Sequence, residues 1–285
     1  MDFPRSLLST VTLATLACTS VQANPIWQAE GEHSLRFLGT IHMMRDSDYP
    51  LPIAFADTLA QCDVLWLETD IEQIADPAFQ NDMAMMMMAE PGNGLASQLP
   101  EPLYQRLGQW SQAIGIPIEA LDPFEPWAAT LVVSAMALEA KGYSPELSVD
   151  EHLHRLAIEA GMDVRFLEGG LEQVQLLADA GKEEGLSMVE QGLDDLDQLD
   201  ELMDTMMTAW RSGDMESLWE ATSISRYPAV QRILLEKRNL NWVAQLTTND
   251  QPGSTHCVAA GSLHFAGDNS VLELLKARGY SITPL

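Results

Sequence analysis

The sequence predicts an α/β protein, in which a central sheet with flanking helices carries a large helical insertion or cap. Strand-like apolar runs occur near both ends of the chain, while the long stretch between them is mostly helical in its periodicity. Near the start, the runs SLRFLG (34–39) and DVLWLE (63–68) flank a short helical segment and fit a strand–helix–strand unit. The second run is almost continuously apolar, as expected of a strand that is buried on both faces.

The remaining elements follow from local start and stop signals. Ser148 is a plausible N-cap, Gly161 a helix end and Gly279 a C-cap. Leu186, Leu193, Leu196 and Met203 recur with a helical period and are expected to share one buried face. The predicted elements are helices over 102–114, 126–141 and 149–160, a strand over 163–168, a helical region over 171–246, a strand over 257–261, a helix over 268–278 and a last strand over 280–282.

Residues 1–23 are predicted to be a secretory signal peptide. Arg5 gives a weakly positive start, an apolar run covers 7–17, and Val21-Gln22-Ala23 fits the small-x-small pattern of a cleavage site. Cleavage is expected after Ala23, which makes the protein periplasmic or secreted. Cys18 raises a lipoprotein as the less favoured alternative. Residues 24–285 then form one domain, with 75–250 as a largely helical insertion that includes the strand near 163–168.

Composition limits the partners. The net charge of −27 disfavours nucleic acid and anionic membranes as partners. A peptide or a small molecule is the expected substrate. Beyond the signal region no stretch of about 18 apolar residues occurs, so no transmembrane segment is expected in the mature chain. Cys62 and Cys257 remain after cleavage, and in an oxidising compartment they either pair or stay as two buried thiols.

Two Gly-x-x-His stretches are the main candidates for a functional site. Gly39 and His42 follow the first strand, and Gly261 and His264 follow a strand near the end of the chain. If these strands are neighbours, the two imidazoles converge at one sheet edge, as a metal site or as a pair of bases. Glu68 ends its strand at the same edge and is either a third ligand or a general base. Such a set suits Zn, Mn, Fe or Co, and hydrolysis is the natural reaction.

Weaker candidates surround this set. Glu168 also ends a strand, and Arg238 could stabilise an oxyanion or hold a substrate carboxylate. Asn239 is next to Arg238 on a predicted helix, where adjacent side chains point in different directions, so one of the two is expected to face the site. The methionine run MAMMMM (83–88) is expected to line a groove or lid, or to pack as an ordinary helix.

The chain resembles the TraB/GumN family, which includes the animal Tiki proteases and is related to ChaN-like and erythromycin-esterase-like proteins. The resemblance rests on an ordered set of motifs that spans nearly the whole mature chain. They are FLGTIH (37–42), LWLETD (65–70), SVDEHL (148–153), LEGGLEQ (167–173), KRNLNW (237–242) and VAAGSLHFAGDNSVLELLKARGY (258–280).

This resemblance implies a ChaN/Tiki-like sheet and a metal-dependent hydrolase. More specifically, it implies a metalloprotease that uses Mn, Co or Zn. By motif, His42 and His264 match the family histidines, Glu68 its acidic position and Arg238 its late basic position. Gly39, Gly261, Asn239 and Glu168 are expected to support the site. Two other readings stay open, which are a non-catalytic protein that binds haem or a divalent metal, and an esterase that acts on small esters or lactones.

Overall fold

The computed structural model describes residues 24–248 and 253–285, and it contains a mixed sheet of six strands. Strands β4, β3, β5 and β2 run parallel to each other, while β1 and β6 complete the sheet with antiparallel pairing. The spatial order is β4-β3-β5-β2-β1-β6. The strands are β1 (Ile26–Glu30), β2 (Ser34–Thr40), β3 (Val64–Leu67), β4 (Asp163–Phe166), β5 (Thr255–Gly261) and β6 (Ser281–Pro284).

Helices pack on this sheet, so the predicted α/β class is confirmed. Eleven of them, α2 to α12 in the list that follows, lie between β3 and β5 along the chain and are interrupted by β4. The helices are α1 (Ile53–Leu59), α2 (Pro77–Met87), α3 (Leu95–Gln98), α4 (Glu101–Ala113), α5 (Ile118–Leu121), α6 (Pro126–Ala140), α7 (Val149–Glu159), α8 (Gly170–Asp197), α9 (Leu199–Ser212), α10 (Met215–Thr222), α11 (Pro228–Gln231), α12 (Lys237–Thr247) and α13 (Val271–Ala277).

Both faces of the sheet are buried, which explains why its central strands are apolar throughout. Consecutive strand residues point to opposite faces, so Phe37 and Trp66 join the core under α12 and α13, whereas Leu38 and Leu65 join the core under α1 and α7. The helical insertion has a separate core between α4, α6, α8 and α9. Some helices of the insertion, such as α7 and α12, therefore cover the sheet, while others pack mainly on each other.

A disulfide joins Cys62 to Cys257, whose Cα atoms are 5.7 Å apart. Of the two alternatives that the sequence leaves open, pairing is the one observed. The bond ties the turn before β3 to β5, and these are two of the strands that lead to the candidate site. It closes a separation of 195 residues, so it restricts the unfolded chain strongly.

The prediction that Leu186, Leu193, Leu196 and Met203 share one buried face is wrong for Leu186. Leu193, Leu196 and Met203 are buried, but Leu186 is 48% exposed. Helix α8 bends at Glu184, whose backbone is not helical (φ −131°, ψ 22°), so the residues just after the bend leave the buried face. None of the helices within 24–248 and 253–285 is long and apolar enough to cross a bilayer. The predicted signal peptide and Cys18 lie outside the described residues.

Candidate functional site

The parallel pairing of the central strands brings the sequence-predicted residues to one sheet edge. β2 and β5 are neighbours in register, with Thr40 opposite Gly261, so both Gly-x-x-His stretches leave the sheet side by side. β3 lies on the other side of β5 and delivers Glu68 to the same edge. Glu68 Oε1 is 3.8 Å from His42 Nε2 and 4.0 Å from His264 Nε2. The three residues that the sequence singled out thus converge.

His42 is oriented by Asp150, a residue that the sequence analysis did not select. The His42 Nδ1 atom lies 3.0 Å from Asp150 Oδ2, and Thr40 Oγ1 donates to Asp150 Oδ1 at 2.9 Å. Because a carboxylate only accepts, Nδ1 carries the hydrogen and Nε2 faces Glu68 and the solvent. Asp150 lies in the first turn of α7, which Ser148 caps through its Oγ at 3.1 Å from Glu151 N. The motif SVDEHL and its N-cap were the available signals.

Glu68 is held on both of its oxygens. Only 8% of the residue is exposed. Its Oε1 accepts the backbone N–H of Gly261 at 2.7 Å, and its Oε2 accepts Gln173 Nε2 at 2.9 Å. The Arg238 guanidinium also donates to Oε2. These contacts fix the carboxylate beside the His42 ring.

Arg238 connects the strand ends to α12. Its Nε donates to Glu168 Oε1 at 2.9 Å and its Nη1 to the Leu234 carbonyl at 2.9 Å, while its Nη2 donates to Glu68. Trp242 Nε1 donates to Glu168 Oε2 at 3.2 Å, and the Arg238 Cζ lies 4.7 Å from the centre of the Trp242 ring. Glu168 therefore belongs to the site through its hydrogen bonds with Arg238 rather than through a contact with a histidine.

His264 is closed off and neutral. Asn239 Nδ2 donates to the Asn269 carbonyl at 2.8 Å, so its amide oxygen faces His264 Nδ1 at 2.6 Å. The Nδ1 atom thus carries the hydrogen, and Nε2 accepts from Arg238 Nη1 at 3.0 Å. The expectation that only one of Arg238 and Asn239 faces the site is wrong, because the His264 ring lies between the two side chains.

The charges of the site follow from these contacts. Burial lowers the pKa of His264 to about 3. For Glu68, burial favours the neutral acid, but the charges of Arg238 and His42 and the backbone N–H of Gly261 outweigh it and hold its pKa below the usual range. For His42, desolvation opposes the charged form, yet the carboxylates of Asp150 and Glu68 raise its pKa to about 9. The His42 side chain is 62% exposed, so water in the cleft weakens both the desolvation of His42 and the attraction of the two carboxylates, which act on its pKa in opposite directions.

As arranged, the expected metal ligands do not fit an ion. The lone pair of His264 Nε2 is directed at the Arg238 guanidinium, which also occupies Glu68 Oε2. An ion bonded at about 2.0–2.2 Å to these atoms would lie against a permanent cation. Within the described residues, no group of three or more His, Cys, Asp or Glu side chains could hold a metal ion. Loading His42, Glu68 and His264 with a metal would require Arg238 to move away.

The two strand-exit glycines lie where other groups approach closely. A Cβ at Gly261 would be 2.9 Å from His42 Nε2 and 3.3 Å from Glu68 Oε1. A Cβ at Gly39 would be 2.7 Å from Ser262 Oγ. Only glycine leaves the space between His42 and Glu68 open without displacing either side chain.

His42, Glu68 and Gln173 border two cavities. The first, the Asp150 cleft, has a volume of about 250 Å³. Its further lining is the polar residues Thr69, Ser148, Asp150 and Glu151 and the apolar residues Leu67, Ile71, Ile74 and Pro145. The second, the leucine pocket, has a volume of about 150 Å³ and is completed by Leu176, Leu177, Leu234 and Arg238.

The methionine run lies mostly on α2, outside both cavity linings. This helix packs on α8 and has no fully buried residue. Met87 packs near Trp127, while Met85 and Met88 are 66% and 41% exposed. The run is therefore a loosely packed surface helix rather than a core helix.

Comparison with known proteins identifies the family. The model of the TraB/PrgY/gumN family matches residues 25–284, so the chain belongs to that family. The uncharacterized protein YbaP of Escherichia coli (strain K12) is 24% identical over 246 residues, which cover 86% of this chain and 89% of the relative. The uncharacterized protein YbaP of Shigella flexneri is similar to the same extent. The resemblance inferred from the motifs is thereby confirmed.

Proposed function

We propose that this member of the TraB/PrgY/gumN family is an exported hydrolase of peptide bonds or small esters, in which His42 activates a water molecule. One observation carries the proposal. Asp150 holds the His42 ring by its Nδ1, so that Nε2 faces a cleft next to the Glu68 carboxylate. A histidine base oriented by a carboxylate is the arrangement that activates nucleophiles in many unrelated hydrolases.

The chemistry needs only groups that border the cleft. The gap of 3.8 Å between His42 Nε2 and Glu68 Oε1 lets one water molecule reach both atoms by hydrogen bonds. His42 Nε2 takes one proton from this water, Glu68 accepts a hydrogen bond from the other, and the oxygen attacks the substrate carbonyl. The proton on Nε2 then passes to the leaving amine or alcohol, which restores neutral His42.

Arg238 supports this reaction through Glu68. Its N–H groups are directed at Glu68, Glu168, His264 and the Leu234 carbonyl, so it keeps Glu68 ionised. Glu68 then stays a hydrogen-bond acceptor for the water and stabilises the imidazolium that forms on His42. This role differs from direct contact with an oxyanion, which the sequence suggested for Arg238.

Export to the periplasm is part of the proposal. The predicted signal peptide over 1–23 motivates it, and the Cys62–Cys257 disulfide supports it because such bonds persist in oxidising compartments.

The metal-dependent peptidase that the family resemblance suggests is a second form of the same proposal. In that form His42, Glu68 and His264 would hold Mn, Co or Zn, which would activate the water, and Arg238 would first have to release its hydrogen bonds to His264 and Glu68. A haem protein is less well supported, because the His264 side chain is 4% exposed and its Nε2 already accepts a hydrogen bond.

A substrate screen tests the proposal. Mature protein is assayed on peptide and ester libraries with a chelator and, separately, with added Mn²⁺, Co²⁺ or Zn²⁺, beside His42→Ala and Glu68→Gln. We expect chelator-resistant hydrolysis that is lost in His42→Ala. Hydrolysis that appears only with a metal supports the metal-dependent form, and turnover that persists in His42→Ala refutes both.

A further inference from the structure

The leucine pocket opens directly beside the proposed reaction centre. Leu176 and Leu177 of α8 and Leu234 form its apolar walls, and His42 and Glu68 lie on its border. A cavity of about 150 Å³ lined by aliphatic and aromatic side chains is large enough to take up benzene. The volume of about 150 Å³ thus matches one branched aliphatic or aromatic group rather than an extended chain.

The walls of the pocket are held by the packing behind them. Leu177 packs against the cluster of Trp127 and Ala178, and both Leu176 and Leu234 pack against the cluster that contains Ile233. Leu234 lies within the π-helical turn Arg232–Glu236, a wide type of turn that is frequent at functional sites. The pocket therefore needs little rearrangement before a ligand enters.

Charge inside the pocket is already balanced. The Arg238 guanidinium contacts the carboxylates of Glu68 and Glu168, so it offers no unpaired charge to a ligand. The His42 imidazole is likewise already paired, with the Asp150 carboxylate, so a charged group that entered would lose its hydration and compete with existing ion pairs for a partner. An apolar group would instead gain about 25 cal/mol for each Å² removed from water.

The leucine pocket and the Asp150 cleft meet at His42, Glu68 and Gln173. A substrate whose carbonyl lies over His42 consequently extends in two directions. One end enters the leucine pocket, and the other lies in the Asp150 cleft, whose lining combines the Glu151 side chain with Leu67 and Ile71.

We propose that the leucine pocket is the specificity subsite and that it takes a branched aliphatic or aromatic group adjacent to the bond that is cleaved. The substrate class is then a peptide or ester with a leucine-like or phenylalanine-like side chain on its acyl side. This inference rests on the proposed hydrolase function. Apolar pockets of this kind discriminate by roughly 10- to 200-fold.

The test compares kcat/KM on 4-nitroanilides and 4-nitrophenyl esters of N-acetylated Gly, Ala, Leu and Phe. Wild-type protein should prefer the Leu and Phe substrates to the Gly substrate by roughly 10- to 100-fold. Leu176→Phe fills the pocket and should remove that preference. Leu176→Ala enlarges the pocket and should shift the preference toward Phe. Leu186→Phe, on the exposed part of the same helix, is the matched control.

Binding gives a second measurement that does not need turnover. Saturation-transfer NMR with N-acetyl-phenylalaninamide and N-acetyl-glycinamide should detect only the former, and Leu176→Phe should abolish its signal. Hydrolysis without a size preference overturns the inference and leaves the proposed function standing. Selective binding without any hydrolysis supports the subsite and refutes the proposed function. If neither hydrolysis nor binding favours the larger side chains, the assignment of the leucine pocket as a subsite is overturned.

Discussion

Replacing Gly261 by alanine changes the space between the two central side chains with a single methyl group. The added Cβ would lie 2.9 Å from His42 Nε2, whereas ordinary contacts of a Cβ begin at about 3.4 Å. The imidazole must therefore shift by about 0.5 Å, against the hydrogen bond that Asp150 makes to its Nδ1. The methyl also occupies the place from which a water molecule reaches both Nε2 and Glu68 Oε1.

We expect kcat/KM of Gly261→Ala to fall by roughly 10- to 100-fold, because a misplacement of about 1 Å costs roughly 100-fold. That loss corresponds to about 1.4–2.7 kcal/mol of transition-state stabilisation. Stability should change by less than about 1 kcal/mol, since φ −49° and ψ 130° at this position suit alanine and the displaced His42 side chain is largely exposed.

The assay is steady-state kinetics on the best substrate of the screen, together with urea unfolding. Gly185→Ala is the control, because a Cβ at Gly185 meets no atom within 4 Å. Full activity in a correctly folded Gly261→Ala protein would refute the placement of the nucleophilic water between His42 and Glu68.

Three further predictions concern stability and are read by urea unfolding. Replacing Cys62 and Cys257 together by serine should lower the free energy of unfolding by about 2–4 kcal/mol, and a reductant should have no further effect on that variant. Arg238→Met should cost about 3–5 kcal/mol because it leaves buried carboxylates unpaired, and the added change Glu168→Gln should recover part of the loss. Burial raises the pKa of Asp195 from 3.8 to about 6, so its stabilising effect is complete below pH 3.8 and is lost as the pH rises through 6. Asp195→Asn should therefore be more stable than wild type at pH 8, and by a larger margin than at pH 4; equal margins would contradict this.

Much of the fold was predictable because it follows from local patterns. The continuous apolar runs of β3 and β5 indicated strands buried on both faces, and Ser148 marked the start of α7 where the structure places it. The strand β1, which pairs antiparallel with both β2 and β6, was missed because it follows the predicted signal peptide directly. The bend at Glu184 was missed as well, because the helical region over 171–246 was predicted without a break at that position.

The site was predictable in its residues but not in its connections. Gly-x-x-His at two strand ends, with Glu68 on a third strand, was enough to place His42, His264 and Glu68 together. That Asp150 orients His42 depends on the packing of α7 against the sheet, which no spacing in the sequence encodes. The occupation of the His264 lone pair by Arg238 likewise depends on where α12 crosses the strand ends.

The pH dependence of kcat/KM in the presence of a chelator tests the central claim most directly. His42 must lose its proton before it can act as a base, and the carboxylates of Asp150 and Glu68 raise its pKa to about 9. We predict that kcat/KM rises from pH 7 and levels off above about pH 9. In Asp150→Asn the rise should move to lower pH and the plateau should fall. A profile that is flat from pH 6 to 10, or that is the same in wild type and Asp150→Asn, would contradict the assignment of His42 as the base.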